Sequence, residues 1–257
     1  MILSIDIGLR NLALCIMSAG DKKDINSYTI HLWNVFNTLD SDDYKCQGIQ
    51  KSGKICNKKC GYKYTLQDGY KGHSCKTHFP KTIKLNLKEH LFKKKMIDDY
   101  LLQDIAKIVL SKLQEIYNDN KVIFEQLTGI IIELQPKINR KAVFTSHLIY
   151  GKLVELYKDT KTTIRFVRAS QKLKSYTGPV IECKLKGEYA KRKWLSIQYA
   201  KWFLENKFSK DEKDKWLPIF LTHTKCDDLS DVLLMDINSL HGIPPKQKFQ
   251  KNGKCIK

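Results

Sequence analysis

Four acidic side chains occur where the hydrophobic pattern predicts the inside of a folded domain. Asp6 interrupts the apolar stretch "LSIDIGL", and Glu133 closes the run "GIIIEL". Asp228 and Asp231 stand three residues apart in "CDDLSDVLL", so a helix would present both on one face. Clustered carboxylates repel one another unless they share cations, and oxygen ligands of this kind suit Mg²⁺ or Mn²⁺. Two such ions about 4 Å apart can activate water and stabilise the leaving oxygen of a phosphodiester.

Each of these acids also has a purely structural explanation. Asp6 could lie on an edge strand and face water, and Glu133 could end a strand in an ion pair. Asp228 and Asp231 could complement the dipole at a helix N-terminus. Asp227 adjoins this pair, although the three-residue spacing favours Asp228 as the ligand. The metal-site interpretation predicts that all four acids converge from two strands and one helix.

A second set of potential ligands lies in a segment of different composition, rich in Gly, Lys and Cys. Two cysteines separated by nine residues and a later Cys-x2-His pair offer four ligands that suit tetrahedral Zn²⁺. A zinc ion would order a segment that has little hydrophobic core of its own. Cys60 could replace Cys56, His73 is a further competitor, and free thiols in a loop are the alternative. The expected structural zinc site consists of Cys46, Cys56, Cys75 and His78.

The overall charge favours a polyanionic partner. The 257 residues carry a formal net charge of +19, with a pI near 9.5, and a basic surface attracts phosphates. Nucleic acid is therefore the first candidate. Only five of the 46 basic residues are Arg, so the excess of Lys could also reflect an A/T-rich genome.

Cellular context follows from the absence of targeting signals in the sequence. We expect no membrane association, because no run of about 18 apolar residues occurs, and no signal peptide is recognisable at the N-terminus. An intracellular, reducing compartment is expected. In that setting the eight cysteines indicate thiols or metal ligands rather than disulfides.

The order of predicted elements indicates an α/β fold, a mixed sheet flanked by helices. Three strand-like segments before residue 37 most simply form an antiparallel meander. Helical spacing predicts one or two helices over 87–117, and the remaining pattern predicts strands at 128–134 and 162–169 with helices at 139–159, 188–208 and 227–242. The predicted organisation is a core formed by 1–38 and 83–245, a zinc-binding insertion at 39–82 and a basic tail at 246–257.

Three motifs carry a resemblance to a known family. "SIDIGLRNLALCIM", "IIIELQP" and "KCDDLSDVLL" resemble the D-G-N, E-Q-P and D-D-x-x-D motifs of the RuvC-like Holliday junction resolvases. The poxvirus-type viral resolvases are most similar, and the mitochondrial fungal resolvases are more distant. The motifs occur in the family's order, and "VRASQKLK" and "YAKRKWLSIQYAKWFL" resemble its basic segments.

The resemblance implies an RNase H-like fold, a homodimer and Mg²⁺-dependent, paired nicking of four-way DNA junctions in recombination and repair. It implies two Mg²⁺ or Mn²⁺ ions in each active site, with Asp6, Glu133, Asp228 and Asp231 as catalytic ligands. The helix over 139–157 carries Val143, Leu148, Leu153 and Leu156, which could form a dimer face; burial of these residues against the chain's own sheet is the alternative. A viral origin would place the protein in the host cytoplasm or a viral factory. Candidate DNA contacts are Arg10, Lys172, Lys174, Arg192 and Lys225.

Two other functions are compatible with the same residues. Another RNase H-like nuclease, acting on flaps, bulges or RNA–DNA hybrids, would use the same metal chemistry. A non-catalytic zinc protein that binds nucleic acid would use the acids only structurally. An actin-like ATPase is disfavoured, because suitable glycine-rich phosphate loops are absent from the sequence.

Overall fold

The computed structural model describes residues 1–20, 24–38, 44–83, 87–91 and 99–241. The chain forms two compact units. The first unit combines Met1–Thr38 with the chain from Leu102 onward, and the second is Leu39–Leu101. The second unit continues past residue 82, where the sequence places its end, because Leu91 forms a bridge with Tyr62 inside it. The predicted basic tail at 246–257 lies outside the described residues.

A five-stranded mixed sheet forms the centre of the first unit. Its strand order is β3-β2-β1-β6-β7. The first three strands pair antiparallel, whereas β1 pairs parallel with β6 and β6 parallel with β7. The order and the directions of these strands confirm the predicted antiparallel meander and the mixed sheet. The strands are β1 Ile2–Ile7, β2 Asn11–Ser18, β3 Thr29–Asn37, β4 Tyr62–Thr65, β5 Lys71–Ser74, β6 Gly129–Glu133 and β7 Thr163–Val167, of which β4 and β5 belong to the second unit.

The helices of the first unit flank this sheet. They are α1 Leu102–Asp119, α2 Lys121–Phe124, α3 Arg140–Tyr157, α4 Glu188–Asn206, α5 Lys210–Thr222 and α6 Cys226–His241. Helix α6 packs across β1, β2 and β3, and α4 packs on α6. Helix α3 contacts α1, β1 and β7. All five residues of β6 are buried, as expected of a parallel strand covered on both faces.

Two predicted helical regions differ from the structure. The helix expected over 87–117 begins only at Leu102 and ends at Asp119, while Leu87–His90 is a 3-10 turn and 92–98 lie outside the described residues. Leu91 forms a backbone bridge with Tyr62 and therefore does not belong to this helix. Helix α5 was not predicted as a separate element. Its start is marked by the Ser209 side chain, which accepts a hydrogen bond from the Glu212 N–H at 3.3 Å.

Among its described residues, the second unit has little aliphatic core. Strands β4 and β5 form a short antiparallel hairpin. The Phe79 ring contacts the rings of Tyr62, Tyr64 and His90. The buried cluster of this unit consists of cysteines, namely Cys46, Cys56, Cys60 and Cys75. Cysteine side chains therefore take the place of the hydrophobic core in this unit.

Candidate active site and cysteine cluster

Asp6 lies on a central strand, which excludes the edge-strand explanation. Strand β1 is hydrogen-bonded to β2 on one side and to β6 on the other. Because side chains alternate along a strand, Asp6 shares a face with Ser4 and not with Ile5 and Ile7. The Ser4 hydroxyl donates a hydrogen bond to Asp236 of α6 at 2.5 Å, so this face is the one that α6 covers. The sheet therefore aims Asp6 at the helix that carries the D-D-x-x-D motif.

Three of the four predicted acids meet at this place. Oxygen atoms of Asp6, Glu133 and Asp231 all lie within 4.8 Å of one another. Strands β1 and β6 are adjacent and parallel, so Asp6 and Glu133 reach the same end of the sheet. Helix α6 supplies Asp231 from above β1. The convergence thus depends on two neighbouring strands and one helix, as the pattern predicts.

Asp228 stands outside this group of three. Its Oδ2 atom accepts a long hydrogen bond from the Asn11 amide at 3.5 Å. Asp227 instead forms an ion pair with Lys193 of α4. Burial opposes ionisation of Asp227, but the hydrogen bond and charge of Lys193 outweigh it and lower the pKa of this carboxyl. Asp227 is therefore committed to a helix contact, whereas Asp228 faces the turn after β1.

Lys172 occupies the centre of the acidic cluster. Its ammonium lies 2.6 Å from Asp231 Oδ2 and 3.2 Å from Glu133 Oε2, and its side chain is only 11% exposed. Burial alone would lower the pKa of Lys172, but the charges of Asp231, Glu133 and Asp6 outweigh it and raise the pKa. Lys172 was predicted to contact DNA. In this structure its ammonium neutralises the acids instead.

One ammonium does not balance three carboxylates. Burial, followed by the charges of Glu133 and Asp231, raises the pKa of Asp6 well above its ordinary value. Burial and Glu133 likewise raise the pKa of Asp231, against the opposing effects of Lys172 and Ser196. The Ser196 hydroxyl donates to Asp231 Oδ1 at 2.5 Å and holds that carboxyl in place. A compact, buried set of oxygen ligands with excess negative charge fits a divalent cation of the Mg²⁺ or Mn²⁺ type.

The other predicted DNA contacts surround this cluster less closely. Arg10 lies in the β1–β2 turn, where its backbone C=O accepts from the Thr38 N–H at 2.8 Å. Lys174 is exposed on the 3-10 helix Ala169–Ser175 that also carries Lys172. Arg192 is exposed on α4, one turn before Ser196, and Lys225 is exposed immediately before α6.

A basic cavity adjoins the acidic cluster. It has a volume of 260 Å³ and shares the Lys172 side chain with the cluster. Arg165 and Arg168, two of the five arginines of the chain, line it together with Gln171 and Asn238. Guanidinium and amide donors around a space of this size suit a phosphate oxygen. The sequence analysis did not single out this pair of arginines.

Two further polar side chains, Ser196 and Asp236, were not singled out in the sequence. Ser196 contacts Asp231, and its local pattern gives no sign of this role. Asn11, which stands at the Asn position of the D-G-N motif, contacts Asp228. Asp236 is completely buried on α6, and burial raises its pKa well above the ordinary value although Ser4 donates to it. Its signal is a carboxylate at a core-facing position of α6, between Met235 and Ile237. The Ser4–Asp236 contact ties α6 to β1 and thereby helps to place the acids.

Replacement of Lys172 by Met tests the balance of charge. We expect Lys172→Met to lower the free energy of unfolding by about 3 kcal/mol at pH 8 without divalent cations, because the buried carboxylates lose their counter-charge. The loss should be smaller at pH 5. There Asp6 and Asp231, whose pKa values are raised, take up protons and need the ammonium less. Urea unfolding at both pH values measures the difference.

Lys174→Met is the matched control for this substitution, since Lys174 is exposed on the same 3-10 helix. It should change the unfolding free energy by less than about 0.5 kcal/mol. Added Mg²⁺ should restore part of the stability of Lys172→Met and none in the control. A loss equal at pH 5 and pH 8 would show that Lys172 acts through packing and not through charge.

The second unit brings the predicted zinc ligands together. Donor atoms of Cys46, Cys56, Cys75 and His78 lie within 4.8 Å of one another. His78 Nδ1 lies 3.5 Å from Cys46 Sγ and 3.4 Å from Cys75 Sγ, and the sulfurs of Cys56 and Cys75 are 3.9 Å apart. Zinc–ligand distances of about 2.0–2.3 Å in a tetrahedron imply such separations. The same separation is far longer than a disulfide bond of about 2.05 Å.

The chemistry of these side chains also fits a metal. Burial opposes ionisation of Cys75, but hydrogen bonds from the backbone N–H groups of His78 and Thr77 and from neighbouring side chains lower its pKa to about 6. Cys60 is buried beside the four and is not among those whose donor atoms converge. Burial and the neighbouring sulfurs raise the pKa of Cys60. Cys56 is therefore better placed than Cys60 as the fourth ligand, and His73 stacks on Tyr44 instead.

Comparison with known proteins places these findings in context. No protein-family model matches the chain. The uncharacterised protein L451 of Acanthamoeba polyphaga mimivirus is 25% identical over an alignment 257 positions long, which covers 92% of this chain. The chain spans 59% of the length of that relative.

The solved structures that the chain resembles include Holliday junction resolvases. The yeast mitochondrial resolvase Ydc2 is 14% identical, with a TM-score of 0.45 over 94% of this chain and 79% of that one. Fowlpox virus resolvase, solved with its Holliday junction DNA, is 14% identical, with a TM-score of 0.42 over 93% and 97% of the two chains. Thermus thermophilus RuvC is 9% identical, with a TM-score of 0.44 over 94% and 96%.

Proposed function

We propose that this protein is a metal-dependent endonuclease that cuts four-way DNA junctions. The observation that carries the proposal is the convergence of Asp6, Glu133 and Asp231 on one face of the sheet, within 4.8 Å. The order of the three resolvase-like motifs along the chain adds support for a junction as the substrate. The net charge of +19 supports a nucleic acid as the partner.

The acids have distinct roles in this proposal. Asp6, Glu133 and Asp231 would hold one divalent cation, and Asp228, which contacts Asn11, would contribute a ligand to a second. Bound Mg²⁺ or Mn²⁺ would activate water and stabilise the leaving oxygen of the phosphodiester. Ser196 keeps Asp231 oriented. Lys172 shields the acids until cations bind.

The DNA backbone would approach along the basic residues around the cluster. Arg165 and Arg168 offer paired donors for a phosphate oxygen in the adjoining cavity. Lys174, Arg192 and Lys225 are exposed and supply further positive charge. These residues bind the backbone without reading base sequence, as suits an enzyme that recognises the shape of a junction.

We also propose that the protein acts as a homodimer, since a two-fold enzyme can place two cuts symmetrically across a junction. The face expected on α3 is only partly available for such a contact. Leu153 is completely buried in its own unit, whereas Val143, Leu148 and Leu156 are half-buried.

The described part of the chain contains no helix with the length and hydrophobicity needed to span a membrane. An intracellular site of action, in the host cytoplasm or a viral factory, is part of this proposal.

The second unit would hold a structural Zn²⁺ through Cys46, Cys56, Cys75 and His78. The separations of their donor atoms support this assignment. The ion would compensate for the small aliphatic core of the unit. It would take no part in cleavage.

Incubation of the purified protein with an immobile four-way junction and Mg²⁺ tests the function. We expect paired nicks at symmetric positions in two opposing strands. A linear duplex of the same sequence, a flap and an RNA–DNA hybrid serve as competitors. Cleavage of flaps or hybrids at equal rates would retain the chemistry and contradict the junction as substrate. Binding without nicks, with Mn²⁺ also tried, would favour a non-catalytic zinc protein.

A further inference from the structure

The segment 45–59 forms a basic hairpin that projects from the buried cysteines of the second unit. Its two arms are joined by backbone hydrogen bonds from Cys46 to Lys58 at 2.8 Å, from Cys56 to Gly48 at 2.8 Å and from Gln50 to Lys54 at 2.8 Å. Cys46 lies near the start of the first arm, and Cys56 directly follows Ile55 on the second. Both arms of the hairpin are therefore tied to the cysteine cluster.

Two exposed isoleucines face each other near the tip of this hairpin. Ile49 and Ile55 are bridged partners on opposite arms, and they are 69% and 58% exposed. Exposed β-branched side chains paired in this way form a narrow apolar ridge.

Positive charge surrounds the apolar ridge. The segment 45–59 contains five lysines and no acidic residue. Lys51 and Lys54 are exposed at the turn, where the Gly53 N–H donates to the Gln50 C=O at 2.9 Å. Gly53 has a φ of 78°, a backbone conformation that residues with a side chain rarely adopt, and this conformation closes the turn tightly. An apolar pair flanked by lysines is the chemistry of proteins that insert a wedge between base pairs from the minor groove.

We propose that the hairpin 45–59 is a second DNA-binding element, which inserts Ile49 and Ile55 at an opened base step while Lys51 and Lys54 bind the flanking phosphates. The positive charge of the hairpin favours DNA as the ligand, because the phosphates of DNA complement the lysines. The exposed faces of the bases would pack on the isoleucines. Base steps at a branch point are already partly unstacked, so insertion there costs less than in a continuous duplex. The choice of a branched ligand rests on the proposed function, whereas DNA binding by the hairpin does not require cleavage.

Two double substitutions separate the contribution of the lysines to DNA binding from that of the isoleucines. Lys51→Ala with Lys54→Ala removes the phosphate contacts, and Ile49→Thr with Ile55→Thr removes the wedge while keeping β-branched side chains. Lys63→Ala with Lys71→Ala is the matched control for charge, because both lysines are exposed on the β4–β5 hairpin of the same unit. Ile138→Thr with Val180→Thr is the control for exposed aliphatic side chains, which are 92% and 95% exposed.

Binding is measured in an Asp6→Asn background, so that a failure of cleavage does not affect the result, and without chelators, which would remove a bound metal. The probes are an immobile junction with 2-aminopurine at the branch point and a linear duplex of the same sequence. We expect the lysine pair to reduce the slope of log K against log salt by about 2, and the affinity at 0.1 M salt by about tenfold. Binding of the parent should unstack the branch-point base and raise the 2-aminopurine fluorescence. The isoleucine pair should leave the salt slope unchanged and abolish this rise. Both control pairs should stay within about twofold of the parent.

Other outcomes would overturn the proposal. Equal effects of the two lysine pairs would show only a diffuse electrostatic contribution. If the isoleucine variant shows the same rise in 2-aminopurine fluorescence as the parent, Ile49 and Ile55 do not insert between bases. A change in sedimentation mass in that pair, with DNA binding intact, would identify the ridge as a contact between protein chains. A metal content and a thermal midpoint equal to the parent establish that each variant is folded.

Discussion

Asp6→Asn should abolish metal-dependent cleavage and at the same time stabilise the metal-free protein. Asp6 lies on a central strand with Glu133 and Asp231 within 4.8 Å, so an amide there removes a ligand and a negative charge. We expect the rate of junction cleavage to fall by about 10³-fold or more, since catalysis depends on charge stabilisation at this site. Affinity for the junction should change by less than about threefold, because the basic residues are untouched.

The effect on stability depends on pH. Burial and neighbouring charges raise the pKa of Asp6, so the folded state binds more protons than the unfolded state between the ordinary pKa and the raised one. The folded state therefore loses stability as pH rises through that range. Asp6→Asn removes this loss, so it should be more stabilising at pH 8 than at pH 5. Thermal unfolding without divalent cations measures the difference.

Asp119→Asn is the matched control, since Asp119 is exposed at the end of α1. It should leave cleavage, metal dependence and thermal midpoint unchanged. Retained cleavage in Asp6→Asn would exclude the acidic cluster as the active site. Loss of cleavage together with loss of folding would assign Asp6 a structural role instead.

Cys75→Ser should remove the metal from the second unit and unfold it. We expect the purified protein to contain one zinc ion per chain and the variant to contain none. Structural zinc contributes about 10–16 kcal/mol of binding free energy in small domains at neutral pH. Within the described residues of this unit, four cysteines form the buried cluster, so the metal that they would hold supplies much of its stability. Limited proteolysis should then cut within residues 44–83, while the segment 102–241 resists, and metal content is measured by mass spectrometry.

Two further cysteine variants sharpen this experiment. Cys60→Ser should retain one zinc ion, because Cys60 is buried beside the converging ligands without belonging to them. Cys183→Ser, at a half-exposed position in the first unit, should behave as the parent. Loss of zinc in Cys60→Ser but not in Cys56→Ser would show that Cys60, and not Cys56, is the fourth ligand. An absence of zinc from the parent protein would reject the site.

The sequence predicted the architecture where a local pattern has one physical explanation. Alternating and continuous apolar runs identified β1, β2, β3, β6 and β7, because burial of one or both faces leaves a period-two or unbroken hydrophobic signal. The predicted start of α1 was wrong by fifteen residues. Leu91 pairs with Tyr62 through its backbone, and a backbone bridge leaves no mark on side-chain types. Helix α5 carried a readable capping signal at Ser209 that was overlooked.

The sequence by itself determined which residue types were out of place, and only the tertiary structure decided what surrounds them. Carboxylates at core positions and paired soft ligands are visible in one dimension, because each contradicts its local environment. The position of Lys172 among the acids and the pairing of Asp227 with Lys193 were not visible. Such contacts join segments far apart in the chain, and their partners are fixed by strand order and helix packing. Whether a lysine faces solvent or neutralises a buried carboxylate is therefore decided by the fold.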